Sequence, residues 1–223
     1  MDAAGTVGIL TGRGPAIDEL GAWLDALPAD VAVLRKAGNQ VAWQRNQLCR
    51  EFRGDWLLFV DADCVPPPRA LGQLLAHGVP LVSGVVLERR VPFRVCAVRS
   101  LEPFRRIDLL DLPASGLLPV TAAGTGCLLI RRPVVEALGP HVFRCGQIAG
   151  APDLLAEDLD FSLRAAEAGF PVLLDCAVRV GHRIDAILWP SETGVHVQWE
   201  GGDGNRVPYR EPLPQLDAAE AGR

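Results

Sequence analysis

The chain has 223 residues, 49% of them hydrophobic, with a formal net charge of −5 and a pI near 5.4. That length carries a full α/β core, and the hydrophobic share excludes a disordered chain. The acidic balance argues against broad nucleic-acid binding, which needs a basic face, but leaves an anionic small ligand compatible if a metal ion or a few arginines supply local positive charge.

In chain order, the apolar run from Val7 to Thr11 reads as a strand that ends in the turn GRGP. Ile17, Leu20, Leu24 and Leu27 recur at helical spacing, and Pro28 breaks the helix they predict. VAVLR is a second strand. Asn39 is placed to cap a second helix that runs through VAWQRNQLCREF to Gly54. WLLFV is a continuous apolar run with polar bounds, as in a central strand covered on both faces. The resulting β-α-β-α-β rhythm predicts a parallel, doubly wound sheet.

Pro66, Pro67 and Pro68 then open a third helix, since proline is tolerated in a first turn; RALGQLLAH continues it and Gly78 ends it. PLVSGVVLE is a strand. Residues 88–120, with Pro92, Pro103, Pro113 and Pro119, read as an irregular insertion able to cover a site. GTGCLLIRR is a turn and a strand, and PVVEALG a short helix. In PDLLAEDLDFSLRAAEAGF, Leu155, Leu159, Leu163, Ala166 and Phe170 fall on one face of a helix that Gly169 stops. VLLDCAVRVGH returns as a strand. From Gly201 the chain reads as a polar, Gly/Pro-rich tail, expected to be mobile. No repeat or composition shift marks a second domain, so one domain over residues 1–200 and a tail over 201–223 are expected.

Six cysteines are scattered without a C-x-x-C pair, which suits small core residues in a reducing compartment. His141 and Cys145 have zinc-ligand spacing, but no second pair completes a site. The N-terminal segment lacks the basic and apolar regions of a signal peptide, and no apolar run approaches the ~20 residues of a membrane span. A soluble, cytoplasmic protein is expected. Arginine suits bidentate phosphate contacts, but with Lys36 the only lysine the bias is more simply a coding preference.

The stretch WLLFVDADCVPPP carries the chemistry. Asp61 and Asp63 sit at i and i+2, so in extended backbone their side chains share one side, at the carboxyl end of a central strand where open α/β sheets bind ligands. Two close carboxylates repel unless a cation lies between them, and Mg²⁺ or Mn²⁺ would keep positions open for phosphate oxygens. The plainer reading is a D-x-D that caps the next helix. Asp153, Glu157, Asp158 and Asp160 crowd the start of the later helix; acids favour a helix N-terminus through the dipole, yet one of them could accept a proton from a hydroxyl. His182 follows a strand, as a structural histidine or a third metal ligand. Cys64, beside two carboxylates, is a poor nucleophile. Trp189 and Trp199 could stack on a ligand or be buried in the core or under the tail.

RN in a helix, WLLFVDADCVPPP, GTGCLLIRRPVVEAL and AEDLDFSLRAAEAGFPVLLDCAVRVGH come in an order that resembles the GT-A glycosyltransferases, especially family-2-like members, over roughly residues 5 to 200. The resemblance implies a Rossmann-like, mostly parallel sheet flanked by helices. It also implies transfer of a single sugar from a nucleotide-sugar donor to a hydroxyl acceptor. Asp61 and Asp63 match the D-x-D that holds Mn²⁺ or Mg²⁺ and the donor's ribose and diphosphate, with Asp63 the direct ligand. His182 matches a C-terminal metal ligand. Glu157 and Asp158 match the acidic motif that supplies a general base. Arg45 matches a basic residue near the nucleotide, and Gly124, Thr125 and Gly126 a segment lining the sugar pocket.

Two departures concern the donor. VLRKAGNQ lacks the acid that usually reads the base, and ILTGRGP is an unusual first-strand motif, in which Thr11 and Arg13 could help. There is no Q-x-x-R-W, against a processive synthase. A nucleotidyltransferase, or a GT-A-like binding protein without turnover, are the alternatives.

Overall fold

The computed structural model describes residues 4–11, 17–89, 93–147, 154–184, 186–192, 194–199 and 207–208. The first half alternates strand and helix: β1 (Gly5–Thr11), α1 (Asp18–Asp25), β2 (Val31–Ala37), α2 (Val41–Glu51) and β3 (Trp56–Asp61). A two-residue β4 (Cys64–Val65) precedes α3 (Ala70–Ala76) and β5 (Leu81–Val85). Next come β6 (Ala97–Leu101), β7 (Phe104–Arg106), β8 (Leu117–Val120), β9 (Ala122–Ala123), β10 (Cys127–Arg131) and α4 (Arg132–Leu138). The second half closes with β11 (Gly146–Gln147), β12 (Leu154–Leu155), α5 (Glu157–Glu167), β13 (Val172–Arg179), β14 (Gly181–Arg183), β15 (Ala186–Ser191), β16 (Gly194–Trp199) and β17 (Val207–Pro208).

The main sheet has seven strands in the order β2-β1-β3-β10-β5-β13-β8. β2, β1, β3, β5 and β13 run one way, while β10 runs antiparallel to both of its neighbours and β8 antiparallel to β13. The expected mostly parallel α/β sheet is present, with one reversed strand at its centre.

β3 shows why this sheet is covered on both faces. Leu57 and Phe59 point into one apolar layer with Leu48, Val134, Phe161 and Ala165 from α2, α4 and α5. Leu58 and Val60 point into the other, with Leu20 and Trp23 of α1 and Ala70, Leu71 and Leu74 of α3. Leu57, Leu58, Phe59 and Val60 are fully buried, and each such side chain contributes about 1.5–3 kcal/mol. The two periods, 2 in the strand and 3.6 in the helices, produce three layers from one chain.

Several expectations need correction. Residues 88–120 are not simply irregular: β6 pairs with β7 and β9 in a separate three-stranded sheet, and β8 adds an edge to the main sheet. The helix of the second half starts only at Glu157, because Leu154–Leu155 pairs with Gly146–Gln147 as strand. Its buried face is Asp160, Phe161, Ser162 and Ala165 rather than the Leu159, Leu163 and Ala166 stripe. Phe161 stacks on Phe143 with ring centroids 4.5 Å apart, and Asp160 pairs with Arg144 at 3.2 Å. Those two contacts set the helix rotation that periodicity alone misassigns. Gln40, not Asn39, holds the cap position of α2 and makes no side-chain cap bond. The proposed tail lies outside the described residues except for Val207–Pro208, which pairs with β16. Among the described residues no helix is long and apolar enough to cross a membrane.

Candidate active site

β1 and β3 end side by side, with Leu10 opposite Asp61 in the parallel register. The Asp61 N–H donates to the Gly126 carbonyl at 3.2 Å and the Ala62 N–H to the Leu10 carbonyl at 3.1 Å. The chain then turns through Asp63 into β4, which pairs antiparallel with β14 and sets Cys64 opposite His182. The Arg183 N–H donates to the Asp63 carbonyl at 2.8 Å. The carboxylate at the exit of β3 and the imidazole after β13 are thus held together by backbone bonds of a second, five-stranded sheet. The three prolines after Val65 remove the donors that would extend β4.

A cleft of about 540 Å³ opens here, lined by Arg45, Asp61, Asp63, Gly124, Thr125, Gly126, Glu157, Asp158 and His182, together with Gln44, Cys64, Arg89 and Cys96. Thr11 does not join them. The Thr11 hydroxyl donates to the Lys36 carbonyl at 3.3 Å and does not line the cleft. Arg13 lies outside the described residues, as does Asp153.

At one end, the His182 Nδ1 lies 2.6 Å from the Leu87 carbonyl oxygen. A carbonyl only accepts, so Nδ1 carries the hydrogen and Nε2 is the ring's remaining polar atom. Nε2 faces Asp63 Oδ1 at 3.6 Å, a contact that needs a proton or a cation between the two atoms. Arg89 Nη1 donates to Asp63 Oδ2 at 2.7 Å. Burial alone would raise the Asp63 carboxyl; His182 and the Arg89 guanidinium together outweigh it and hold the group below the usual carboxylate range. Ligand atoms of Asp63, Cys64 and His182 all lie within 4.8 Å of one another. A histidine that donates one ring N–H to a carbonyl while its other nitrogen meets a carboxylate is fit to hold a divalent ion.

At the other end, Arg45 is almost wholly buried on α2. It pairs with Glu157 at the start of α5 and, at 3.3 Å, with Asp61. Asp61 therefore does not complete the Asp63–His182 group; its nearest partner is a guanidinium. Next to Glu157, the Asp158 carboxyl is pushed up by burial and then by the Glu157 charge, partly offset by the Leu159 N–H, which donates to Oδ1 at 2.8 Å. Of the two acids, Glu157 is paired to a cation, and Asp158 is the one whose carboxyl is raised.

The Gly124–Thr125–Gly126 segment floors the cleft between these ends. A Cβ on Gly124 would come within 2.9 Å of the Cys96 Cβ, and a Cβ on Gly126 within 3.1 Å of the Cys64 Sγ and 3.6 Å of Asp61 Oδ2. Glycine lets the segment lie this close to Cys96 and Cys64, beside the carboxylates. The Cys64 thiol is raised well above its ordinary value by burial and then by Asp61 and Asp63. It is protonated and no nucleophile. Trp189 is half-buried and donates its ring N–H to Gln198 at 3.0 Å. It is not among the cleft-lining residues, and the side chain of Trp199 lies outside the described ones.

Sequence reading missed Arg89, Gln44 and Cys96 as lining residues. Arg89 falls at the edge of a stretch read as irregular, and no motif marks it. Gln44 has a usable signal, as the neighbour of Arg45 on the same helix; its amide donates to the Thr11 and Lys36 carbonyls at 3.0 and 2.7 Å, tying the ends of β1 and β2.

A family model described as Glycosyl transferase family 2 matches residues 14–139, more than half of the chain. No curated protein matches the chain significantly. Among solved structures, the chain is similar to A197 from STIV, at 17% identity and a TM-score of 0.57, covering 92% of this chain and 98% of that one. It also matches S. aureus TarS residues 1–349, at 16% identity and a TM-score of 0.43, covering 76% of this chain and 57% of that one. The first of these likenesses concerns the fold alone. On the family match, this chain belongs to glycosyl transferase family 2 and is a GT-A-fold glycosyltransferase.

Proposed function

We propose that the protein transfers one sugar from a nucleotide-sugar donor to a hydroxyl acceptor, with a divalent ion, Mn²⁺ or Mg²⁺, held at Asp63 and His182. The observation that carries this reading is the Asp63–His182 pair: an imidazole nitrogen and a carboxylate oxygen 3.6 Å apart, with the imidazole fixed by the Leu87 carbonyl. Such a bound ion would neutralise the leaving diphosphate. Asp61, already paired to Arg45, would face the donor's ribose or diphosphate.

The chain's own residues account for the rest of the reaction. Asp158 accepts the proton of the acceptor hydroxyl as that oxygen bonds to the anomeric carbon, and the bond from that carbon to the diphosphate oxygen breaks. Arg45 holds the Glu157 side chain in place, and burial together with the neighbouring Glu157 favours proton uptake at Asp158. Gly124, Thr125 and Gly126 border the sugar without side-chain bulk, apart from a threonine that is itself buried.

The test is a screen of nucleotide sugars for hydrolysis that depends on Mn²⁺ or Mg²⁺, comparing wild type with Asp63→Ala. Metal-dependent release of nucleoside diphosphate by wild type, lost in the variant, is expected. Turnover unaffected by chelator or by Asp63→Ala would overturn the metal assignment.

A further inference from the structure

The only group of metal-ligating side chains that converges among the described residues is Asp63, Cys64 and His182, and it includes a thiol. Hard ions such as Mg²⁺ and Mn²⁺ prefer oxygen and leave a buried thiol protonated, whereas a softer ion claims it and drives off the proton. The D-x-D reading has no use for Cys64. Its position is nevertheless built: it is fully buried, it pairs with His182 across the β4–β14 ladder, and the Gly126 backbone packs against its sulfur.

We infer that this site is also a mixed oxygen–nitrogen–sulfur centre that takes a soft or borderline divalent ion of the Zn²⁺ or Co²⁺ class, held by Asp63, Cys64 and His182, in competition with the hard ion. The inference rests on the metal reading of the Asp63–His182 pair and adds a ligand to it. The spacing suits such an ion. A tetrahedral ion with bonds of about 2.0–2.1 Å separates its nitrogen and oxygen donors by roughly 3.4 Å, close to the 3.6 Å between His182 Nε2 and Asp63 Oδ1. An octahedral ion with bonds of about 2.1 Å brings adjacent donors to roughly 3.0 Å, so it requires the larger closure. The second shell of the imidazole is in place: the Leu87 carbonyl takes the His182 Nδ1 hydrogen. On coordination the Cys64 S–H proton leaves to solvent and the thiolate bonds the metal; no oxidation state changes. A soft ion seated this way fills the position the hard ion needs and shuts transfer off.

The experiment titrates the full chain, stripped with chelator, with Co²⁺ alone and follows its absorption. Wild type is expected to develop the near-ultraviolet charge-transfer band of a thiolate–cobalt bond. Cys64→Ser loses that band, and Cys145→Ser, at an exposed cysteine, retains it. In parallel, Zn²⁺ displaces bound Mn²⁺, and Cys64→Ser needs at least about tenfold more Zn²⁺ to do so. Cobalt bound by wild type without a thiolate band, or a band that survives in Cys64→Ser, overturns the inference; the wild-type spectrum decides the first point even if the variant misfolds. Mn²⁺ binding without any thiolate band leaves the hard-ion reading standing and sinks this one. A thiolate band with no Mn²⁺ binding does the reverse.

Discussion

Arg45 and Glu157, 112 residues apart in the chain, form an ion pair beneath the cleft, and the same guanidinium reaches Asp61. One buried cation thus ties the exit of β3 to the start of α5. Its Nε has no hydrogen-bond partner among the described residues and its Cζ lies 5.7 Å from the Phe143 ring centroid, so the side chain is held by its two carboxylates and by packing.

Arg45→Met leaves two acids facing each other without the cation. Breaking a buried pair costs about 3–5 kcal/mol, and the partial exposure of both carboxylates puts this one at or below the lower end of that range. In urea denaturation the midpoint is expected to fall with an unchanged slope. Adding Glu157→Gln should recover part of the loss, because it removes one of the unpaired charges.

The neighbouring Asn46 closes a two-bond clasp on Phe143: its amide donates to the Phe143 carbonyl at 2.6 Å and accepts from the Phe143 N–H at 2.9 Å. Asn46→Ala orphans a buried donor and a buried acceptor, at about 1–3 kcal/mol each. Asn46→Asp keeps the acceptor but loses the donor and adds a buried charge. Both should lower the melting temperature, and hydrogen exchange should speed up at the Phe143 amide.

Asp158 gives a pH dependence of definite sign. Its carboxyl holds a proton to higher pH in the folded than in the unfolded chain, so folding takes up a proton in that window. Stability therefore falls as pH rises from the unfolded value through the folded one, and the desolvated carboxylate is a net cost at neutral pH. Asp158→Asn should be more stable than wild type at neutral pH and lose that advantage below the unfolded value. Transfer by the same variant should drop by about a hundredfold or more. A variant no more stable at neutral pH would mean that burial of Asp158 carries no net penalty.

Arg89 and His182 should have opposite effects on metal affinity. Arg89 makes an exposed ion pair with Asp63 Oδ2, the kind worth at most about 1 kcal/mol, so Arg89→Ala should strengthen Mn²⁺ binding by about two- to fivefold by removing a competing cation. His182→Ala should weaken it by about tenfold or more without unfolding the chain. Calorimetric titration with Mn²⁺ reads both, and two changes of the same sign would contradict the geometry.

Much of this was legible in the sequence where a single element decides the outcome. WLLFV and its neighbours announce a central strand, and Asp61, Asp63, Glu157, Asp158 and His182 do converge on one cleft. What local reading cannot reach is set between elements. The rotation of α5 depends on Phe143 and Arg144; the pairing of Asp61 depends on Arg45 arriving from α2; and Arg89 comes from a stretch without a pattern. Residues at i and i+2 share a side only while the backbone stays extended, and here it turns between Asp61 and Cys64.

The reversal of β10 has a consequence of its own. In a wholly parallel sheet the carboxyl edge gathers only places where strands finish, and each incoming loop starts from the opposite rim. Because β10 points the other way, Cys127 lies opposite Val60 and the strand begins where β3 stops. The three residues leading into it, Gly124, Thr125 and Gly126, are delivered to the rim that carries the aspartates. A departure from regular winding lets an arriving and a departing segment of chain face each other across a single cleft.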